Sequence, residues 1–357
     1  MTQKTVINMM SSATKVEGQG VGSAYLEQVS LVREALADEF LVTENARIPA
    51  QITHYHTLDP AFYLGRRHHT RHGRSVGYVH MLPETVETSL DLPPLAKKAF
   101  YRYMIRFYKS MDYLVTVNPC FIRQLAAYGV DPARVTYIPN YVSSEQFHPL
   151  PPAGKRALRQ RYGLPEEGFV VVCAGQLQVR KGFFDYLEIA RRMPDVTFVW
   201  AGGFSFGAIT DGYKEIRQVQ QDPPPNLKLL GMVERSRMNE IYNLGDVMFL
   251  PSFEELFPMT ILEAMCVHVP ILLRDLDIYP DILFDFYDCA SNLEGFVREL
   301  TRLREDPAYY ARYQALSQKG NEFYSRAHIA QMWRDFYRMV RDSLPRTAPA
   351  DAVKETS

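Results

Sequence analysis

The sequence predicts an α/β protein made of two parallel-sheet units, and three observations carry that expectation. Short apolar runs alternate with helical stretches along most of the chain, the pattern of βαβ units feeding a parallel sheet. At 357 residues the chain is long for one core and comfortable for two, taking about 100–200 residues per domain. Pro149, Pro151 and Pro152 punctuate the chain between two such series.

In the first series the predicted strands are 5–10, 40–43, 51–55, 75–80, 113–117 and 135–138, with a helix over 24–37. A short helix at 158–162 leads into the second series, whose predicted strands are 170–174, 196–201, 227–230, 247–250 and 271–273, followed by helices at 293–304 and 307–319. The last run, 327–344, places Ile329, Met332, Trp333, Phe336, Tyr337 and Val340 at helical spacing. The expected organisation is a first domain over 1–148, a linker over 149–168, a second domain over 169–324, a terminal helix over 325–344 and a disordered tail over 345–357.

Apolar residues at 46% permit a substantial interior, and a net charge of −1 gives no global signal for nucleic acid. Cys120, Cys173, Cys266 and Cys289 are widely spaced without a C-x-x-C pair and read as reduced thiols of a cytosolic protein. No signal peptide is visible, the opening apolar patch being broken by Asn8. Nowhere do about 18 apolar residues run together, so any membrane contact is expected to be peripheral.

Glu255 and Glu263 stand eight positions apart, directly after the apolar run 246–251. Loops at the carboxyl ends of parallel strands line the ligand crevice of open α/β sheets, and a helix starting near Pro258 suits the fixed φ of proline. Both carboxylates can then face one crevice and accept hydrogen bonds from sugar hydroxyls, or serve only as solvated acids at a helix start.

The segment resembles the E-x7-E signature of the retaining glycosyltransferases of family 4, which have the GT-B fold. Val170-Val-Val-Cys-Ala-Gly-Gln-Leu-Gln-Val-Arg-Lys-Gly182 is similar to that family's strand, Gly-Arg-Leu turn and Lys-Gly helix start. Leu230-Gly-Met-Val233 resembles its base-binding turn, and Tyr137-Ile-Pro-Asn140 with Phe147-His-Pro149 resembles its exit from the first domain. The resemblance implies two Rossmann-like domains facing across a cleft, with the terminal helix crossing back onto the first.

The resemblance also assigns roles. Glu255 is expected to hold the donor sugar, Glu263 the ribose, and Met232 and Val233 the uracil, with backbone amides of Phe257, Pro258, Met259 and Thr260 near the phosphates (Pro258 itself has no N–H). Lys181 at a helix start is a cation suited to a diphosphate, or an ordinary surface lysine. The loop Gly18-Gln-Gly-Val-Gly22 lacks the G-x-G-x-x-G spacing of a dinucleotide site; the resemblance instead brings Gly20, Val21 and Gly22 to the donor phosphate or acceptor, the alternative being a glycine turn that only fits strand to helix. His80, at a predicted strand end, is expected to hydrogen-bond the donor sugar, or to be a satisfied structural histidine. Three positions depart from the pattern: Gln176 replaces the arginine of Gly-Arg-Leu, with Arg180 nearby to supply the charge, Leu256 replaces a glycine, and Arg274-Asp-Leu-Asp277 replaces a small-residue loop. Asp275 and Asp277 invite a metal reading, but the resembled fold uses protein cations and helix dipoles, so no metal or other cofactor is expected.

From Arg47 to Lys109 there are ten Lys/Arg against four acids. Within this stretch Lys97, Lys98, Arg102, Arg106 and Lys109 mark a basic helical stripe, with Phe100 and Phe107 on an aromatic one, the pattern of a helix in a lipid interface or of a core-packed helix with a solvated basic face. The opening segment Met9 to Gln28 is similar to glycolipid glycosyltransferases of Gram-positive bacteria, which extend α-monoglucosyl-diacylglycerol to the diglycosyl lipid that anchors lipoteichoic acid. The expected function is therefore transfer of a hexose from UDP-galactose or UDP-glucose to a glycolipid acceptor, at an anionic membrane surface on the inner face of the plasma membrane and without nucleic acid. A family 4 enzyme acting on a cell-wall or capsular glycan, a nucleotide-sugar epimerase and an inactive lipid-binding protein are the rival readings.

Overall fold

The computed structural model describes residues 4–12, 20–69, 73–86, 93–204, 211–255 and 257–344. The chain divides into two compact units: the described residues up to Pro139 together with those from Ile329 onward, and Asn140–His328.

The first unit holds a parallel sheet of β1 Thr5–Met10, β2 Phe40–Glu44, β3 Ile52–Tyr55, β4 Arg74–Val79, β5 Tyr113–Thr116 and β6 Val135–Tyr137, in the order β2-β1-β3-β4-β5-β6. β3 is buried along its whole length, as expected of a central strand covered on both faces. The terminal helix Arg326–Asp342 completes this core with Trp333, Phe336, Tyr337 and Val340. Its Tyr337 hydroxyl lies 2.8 Å from His54 Nδ1 and accepts from Gln28 Nε2 at 3.3 Å. Arg334 and Arg338 both donate to Glu39. The hydrogen bond from Arg338 is the main reason the Glu39 carboxyl is held down to about 2.

The second unit holds β7 Val170–Ala174, β8 Thr197–Ala201, β9 Leu227–Gly231, β10 Val247–Leu250, β11 Ile271–Arg274 and β12 Asp288–Ala290. All pairings are parallel, in the order β12-β11-β10-β7-β8-β9. Counted within the unit, this is the doubly wound order 3-2-1-4-5-6, which reverses direction between β7 and β10. β12 has no counterpart among the predicted strands, because three residues beginning with an aspartate carry no apolar run. The helix Pro152–Arg161 begins well before the predicted 158, its polar composition having concealed its first half. Buried Arg159 fastens it to the unit by donating to the Leu244 carbonyl at 3.0 Å and to Asp246 at 2.7 Å.

One expectation is corrected by the packing of helix Pro94–Lys109. Its aromatic stripe does not face outward: Phe107 is buried and meets Tyr55, Tyr63 and Tyr103 at ring distances near 6 Å. Phe100 is half-buried and packs on the same core. The 3.6-residue period is the same whether an apolar face meets lipid or a sheet, and here it meets the sheet. The basic side chains Lys98, Arg102, Arg106 and Lys109 remain exposed. No helix among the described residues is long and apolar enough to cross a membrane.

Candidate active site

The site lies where the sheet order of the second unit reverses, at the carboxyl ends of β7 and β10. After β7 the chain passes Gly175 and Gln176, forms a short 3-10 turn at Val179–Lys181 and enters helix Phe183–Arg192 through Gly182. Gly182 has φ of +74°, and a Cβ there would fall 2.3 Å from the Pro251 carbonyl oxygen. Only glycine allows this turn to touch the loop leaving β10. That contact, with the 2.8 Å bond from Phe253 N–H to the Arg180 carbonyl, brings Lys181 to Glu255. The Lys181 Nζ donates to Glu255 Oε1 at 2.5 Å, and both side chains are largely enclosed. Beneath them is Cys173, whose thiol burial pushes well above its usual range.

Arg274 holds the loop that carries Glu255. Its guanidinium donates to the Pro251 carbonyl at 3.0 Å and to Asp185, and lies 3.9 Å from the centre of the Phe253 ring. The departure from a small-residue loop at this point thus supplies a brace. Asp275 and Asp277 are exposed, and among the described residues no cluster of His, Cys, Asp or Glu is arranged to hold a metal ion.

A cavity of about 370 Å³ opens at the ends of β7 and β8, and neither Lys181 nor Glu255 is among the residues that line it. Its lining comes from the end of β7 (Ala174, Gly175, Gln176), the end of β8 (Ala201, Gly202, Gly203), the turn after β9 (Met232, Val233, Arg235, Met238) and the start of helix Met259–Cys266 (Met259, Thr260, Glu263). Gly202 permits the close meeting of β7 and β8, since a Cβ there would fall 1.8 Å from the Gly175 carbonyl oxygen. The cavity gathers Gln176, Met232, Val233, Met259, Thr260 and Glu263, six of the residues singled out in the sequence. Arg180 is exposed and outside the lining, while Pro258 precedes the helix in an extended conformation and half-buried Phe257 packs toward Tyr324.

Glu263 is buried, with the Tyr242 hydroxyl donating to Oε2 at 2.6 Å and Arg235 Nη1 donating to Oε1 at 2.5 Å. Neither partner was singled out in the sequence. Leu256, Lys15 and Gly18 lie outside the described residues; Gly20, Val21 and Gly22 form the first turn of helix Gly20–Ala35 in the first unit.

His80 also belongs to the first unit, just after β4. It stacks on Tyr78 with ring centres 4.1 Å apart and lies 6.4 Å from His56, which is 4.3 Å from His54. As a whole residue His80 is half-buried, but its Nε2 is enclosed and has no hydrogen-bond partner among the described residues. Burial lowers all three histidines, His54 to about 3 and His80 to about 4, so they are neutral imidazoles near pH 7.

On the far side of helix Pro94–Lys109, a second cavity of about 890 Å³ is lined by Lys97, Lys98, Arg102, Arg106 and Lys109 together with Pro83, Pro94, Tyr101, Ile105 and Tyr128. Leu95, at the start of the helix, is 85% exposed.

Residues 154–322 match the family profile "Glycosyl transferases group 1", and residues 25–146 match "Glycosyltransferase Family 4". The chain is 45% identical, over 94% of its length and 90% of the relative's, to alpha-galactosylglucosyldiacylglycerol synthase of Streptococcus pneumoniae. It is 29% identical to the processive diacylglycerol alpha-glucosyltransferase of Acholeplasma laidlawii over 52% of this chain and 54% of that one. Among solved structures, sucrose-phosphate synthase from Thermosynechococcus elongatus superposes with a TM-score of 0.73 at 13% identity, covering 95% of this chain and 100% of that chain. Anabaena HepE in complex with UDP-glucose superposes with a TM-score of 0.71 at 14% identity, covering 94% and 100%. The chain belongs to glycosyltransferase family 4: it is a glycosyltransferase with the two Rossmann-like domains of the GT-B fold.

Proposed function

We propose that the protein transfers a hexose, with retention, from a UDP-sugar to a glycolipid acceptor, with UDP-galactose as donor and α-monoglucosyl-diacylglycerol as acceptor. The observation that carries this reading is the 45% identity, along nearly the whole chain, to a synthase named for a galactosyl-glucosyl lipid product. The 2.5 Å Lys181–Glu255 pair is consistent with it, since it sets a cation and a carboxylate side by side, as the two ends of a sugar–phosphate bond require.

In this reading uracil rests against Met232 and Val233 and the ribose hydroxyls bind Glu263. Backbone amides around Phe257, Pro258, Met259 and Thr260 and the end of β7 at Gln176 surround the diphosphate. Glu255 accepts hydrogen bonds from the sugar, which fixes the anomeric carbon. Lys181, with Arg180 beside it, stabilises the charge that develops on the diphosphate as the bond from the anomeric carbon to the phosphate oxygen breaks. The acceptor hydroxyl attacks on the face that the phosphate leaves, and its proton passes to the departing phosphate. His80, a neutral imidazole, donates a hydrogen bond to the hexose, and Gly20, Val21 and Gly22 approach the phosphate or acceptor. No metal takes part.

The first unit carries the acceptor end. Lys97, Lys98, Arg102, Arg106 and Lys109 hold it to the anionic inner face of the plasma membrane, each basic group near such a surface contributing about 1 kcal/mol. The protein's place is then peripheral. The test is incubation with each radiolabelled UDP-hexose and monoglucosyl-diacylglycerol in vesicles containing phosphatidylglycerol. A labelled diglycosyl lipid formed from UDP-galactose is expected. Label appearing only as free hexose, or as an interconverted nucleotide sugar, would sink the reading.

A further inference from the structure

Glu263, the ribose ligand in the reading above, has both carboxylate oxygens engaged, and its two partners differ in kind. Tyr242 is wholly enclosed on helix Met238–Leu244 and holds Oε2 from within the core. Arg235 holds Oε1 from the 3-10 turn Arg235–Arg237, with its side chain 55% exposed, and its guanidinium lies 5.5 Å from the centre of the Phe147 ring. A ribose diol seeking Glu263 therefore competes with Arg235 for Oε1, since Tyr242 has no open space to retreat into.

Gln176 lines the same cavity, and its Oε1 is enclosed with no hydrogen-bond partner among the described residues. An amide at that point is neutral, so the wall formed by the end of β7 adds no positive charge to that of Lys181. Arg235 is the one guanidinium among the described lining residues. Its planar fork of N–H donors fits a carboxylate and a phosphate equally well.

We propose that Arg235 is an exchangeable counter-ion in the donor cavity. It pairs with Glu263 before the nucleotide enters, yields Oε1 to the ribose hydroxyls, and turns onto the donor's diphosphate, supplying the charge that Gln176 lacks. The exchange replaces one charge-assisted pair with another, and a nucleoside without phosphates gains nothing from it. Arg235 therefore opposes binding of the nucleoside and favours binding of the diphosphate. The proposal rests on the UDP-sugar reading.

The test compares the dissociation constants of uridine and UDP for the wild-type chain and for Arg235→Ala and Arg235→Lys, each checked for folding by its thermal melt. In Arg235→Ala, uridine is expected to bind several-fold more tightly and UDP about tenfold more weakly, as follows from losing one charge-assisted phosphate contact. Arg235→Lys is expected to recover part of the UDP affinity. If Arg235→Ala leaves the ratio of the two constants unchanged, whether both weaken together or neither moves, the proposal fails while the donor reading stands. A wild-type chain that binds neither uridine nor UDP overturns the donor reading itself. Should Arg235→Ala fail to fold, Arg235→Gln takes its place with the same criteria.

Discussion

The Lys181 ammonium and the Glu255 carboxylate meet at 2.5 Å at the point where the strand order of the second sheet reverses. Each comes from a different strand-to-helix connection, so the pair records the alignment of both loops. Glu255→Gln keeps the shape but removes the charge, and turnover is expected to fall by about 100-fold or more, the scale of losing a group aimed at developing charge. Lys181→Ala is expected to do the same and also to lower the melting temperature, because it leaves a mostly enclosed carboxylate without its partner. Steady-state kinetics beside thermal melts separates the two effects. Unchanged turnover in a folded Glu255→Gln chain would remove Glu255 from the mechanism.

Arg274 acts on the same site through the loop. Because it touches the Pro251 carbonyl, Asp185 and the Phe253 ring together, Arg274→Lys cannot reproduce both the stacking and the fork of donors. The expected result is a drop of roughly tenfold in kcat/KM in both Arg274→Lys and Arg274→Ala, a change in placement of this scale being what misaligned loops produce. Equal activity in Arg274→Lys and the wild type would show that the charge alone suffices.

These two cases also mark what the sequence made legible. The strands were readable because runs such as Val170–Ala174 are apolar throughout and end at glycine, and the Glu255 and Glu263 spacing was visible as a pattern. The partners of those acids were not. An arginine such as Arg235 or Arg274 reads as surface charge until tertiary structure shows which carboxylate it reaches. Tyr242 reads as one more core aromatic, although its hydroxyl fixes Glu263. Phe107 failed for the opposite reason, its periodicity being true of the helix and silent about what the apolar face meets.

The buried histidines make the first unit sensitive to acid. The native fold holds His54, His56 and His80 below the usual 6.5, so the unfolded chain binds more protons below that value. Their contribution is fully present above pH 6.5 and is lost as the pH falls below it, down to about 4 for His80 and about 3 for His54, by about 1.4 kcal/mol per histidine for each pH unit. Denaturant midpoints measured from pH 7.5 to 5 are expected to decline, and less steeply in His56→Phe. Parallel curves for the two chains would contradict this.

Charge reversal on the exposed basic side chains separates surface attraction from core packing. Lys98→Glu with Arg102→Glu is expected to weaken sedimentation with anionic vesicles by roughly tenfold while leaving the melt unchanged, and added salt is expected to weaken the wild type likewise. Phe107→Ala is expected to lower stability by about 3–5 kcal/mol, the range for truncating a buried phenylalanine. Vesicle binding lost in a stably folded Phe107→Ala chain would instead restore a lipid-facing role to that residue.

The terminal helix sets a timetable for the chain as it is made. His54 and Tyr337 are 283 positions apart, and Arg334 reaches Glu39 across 295. The unit formed by Asn140–His328 is contiguous and can close its core during synthesis, whereas the other unit waits for the residues from Ile329 onward to leave the ribosome. A nascent chain stalled before Ile329 would hold a finished second unit and an unfinished first one. Any such truncated product would keep the apolar surface that Trp333, Phe336 and Tyr337 normally cover, and so be a natural client for chaperones.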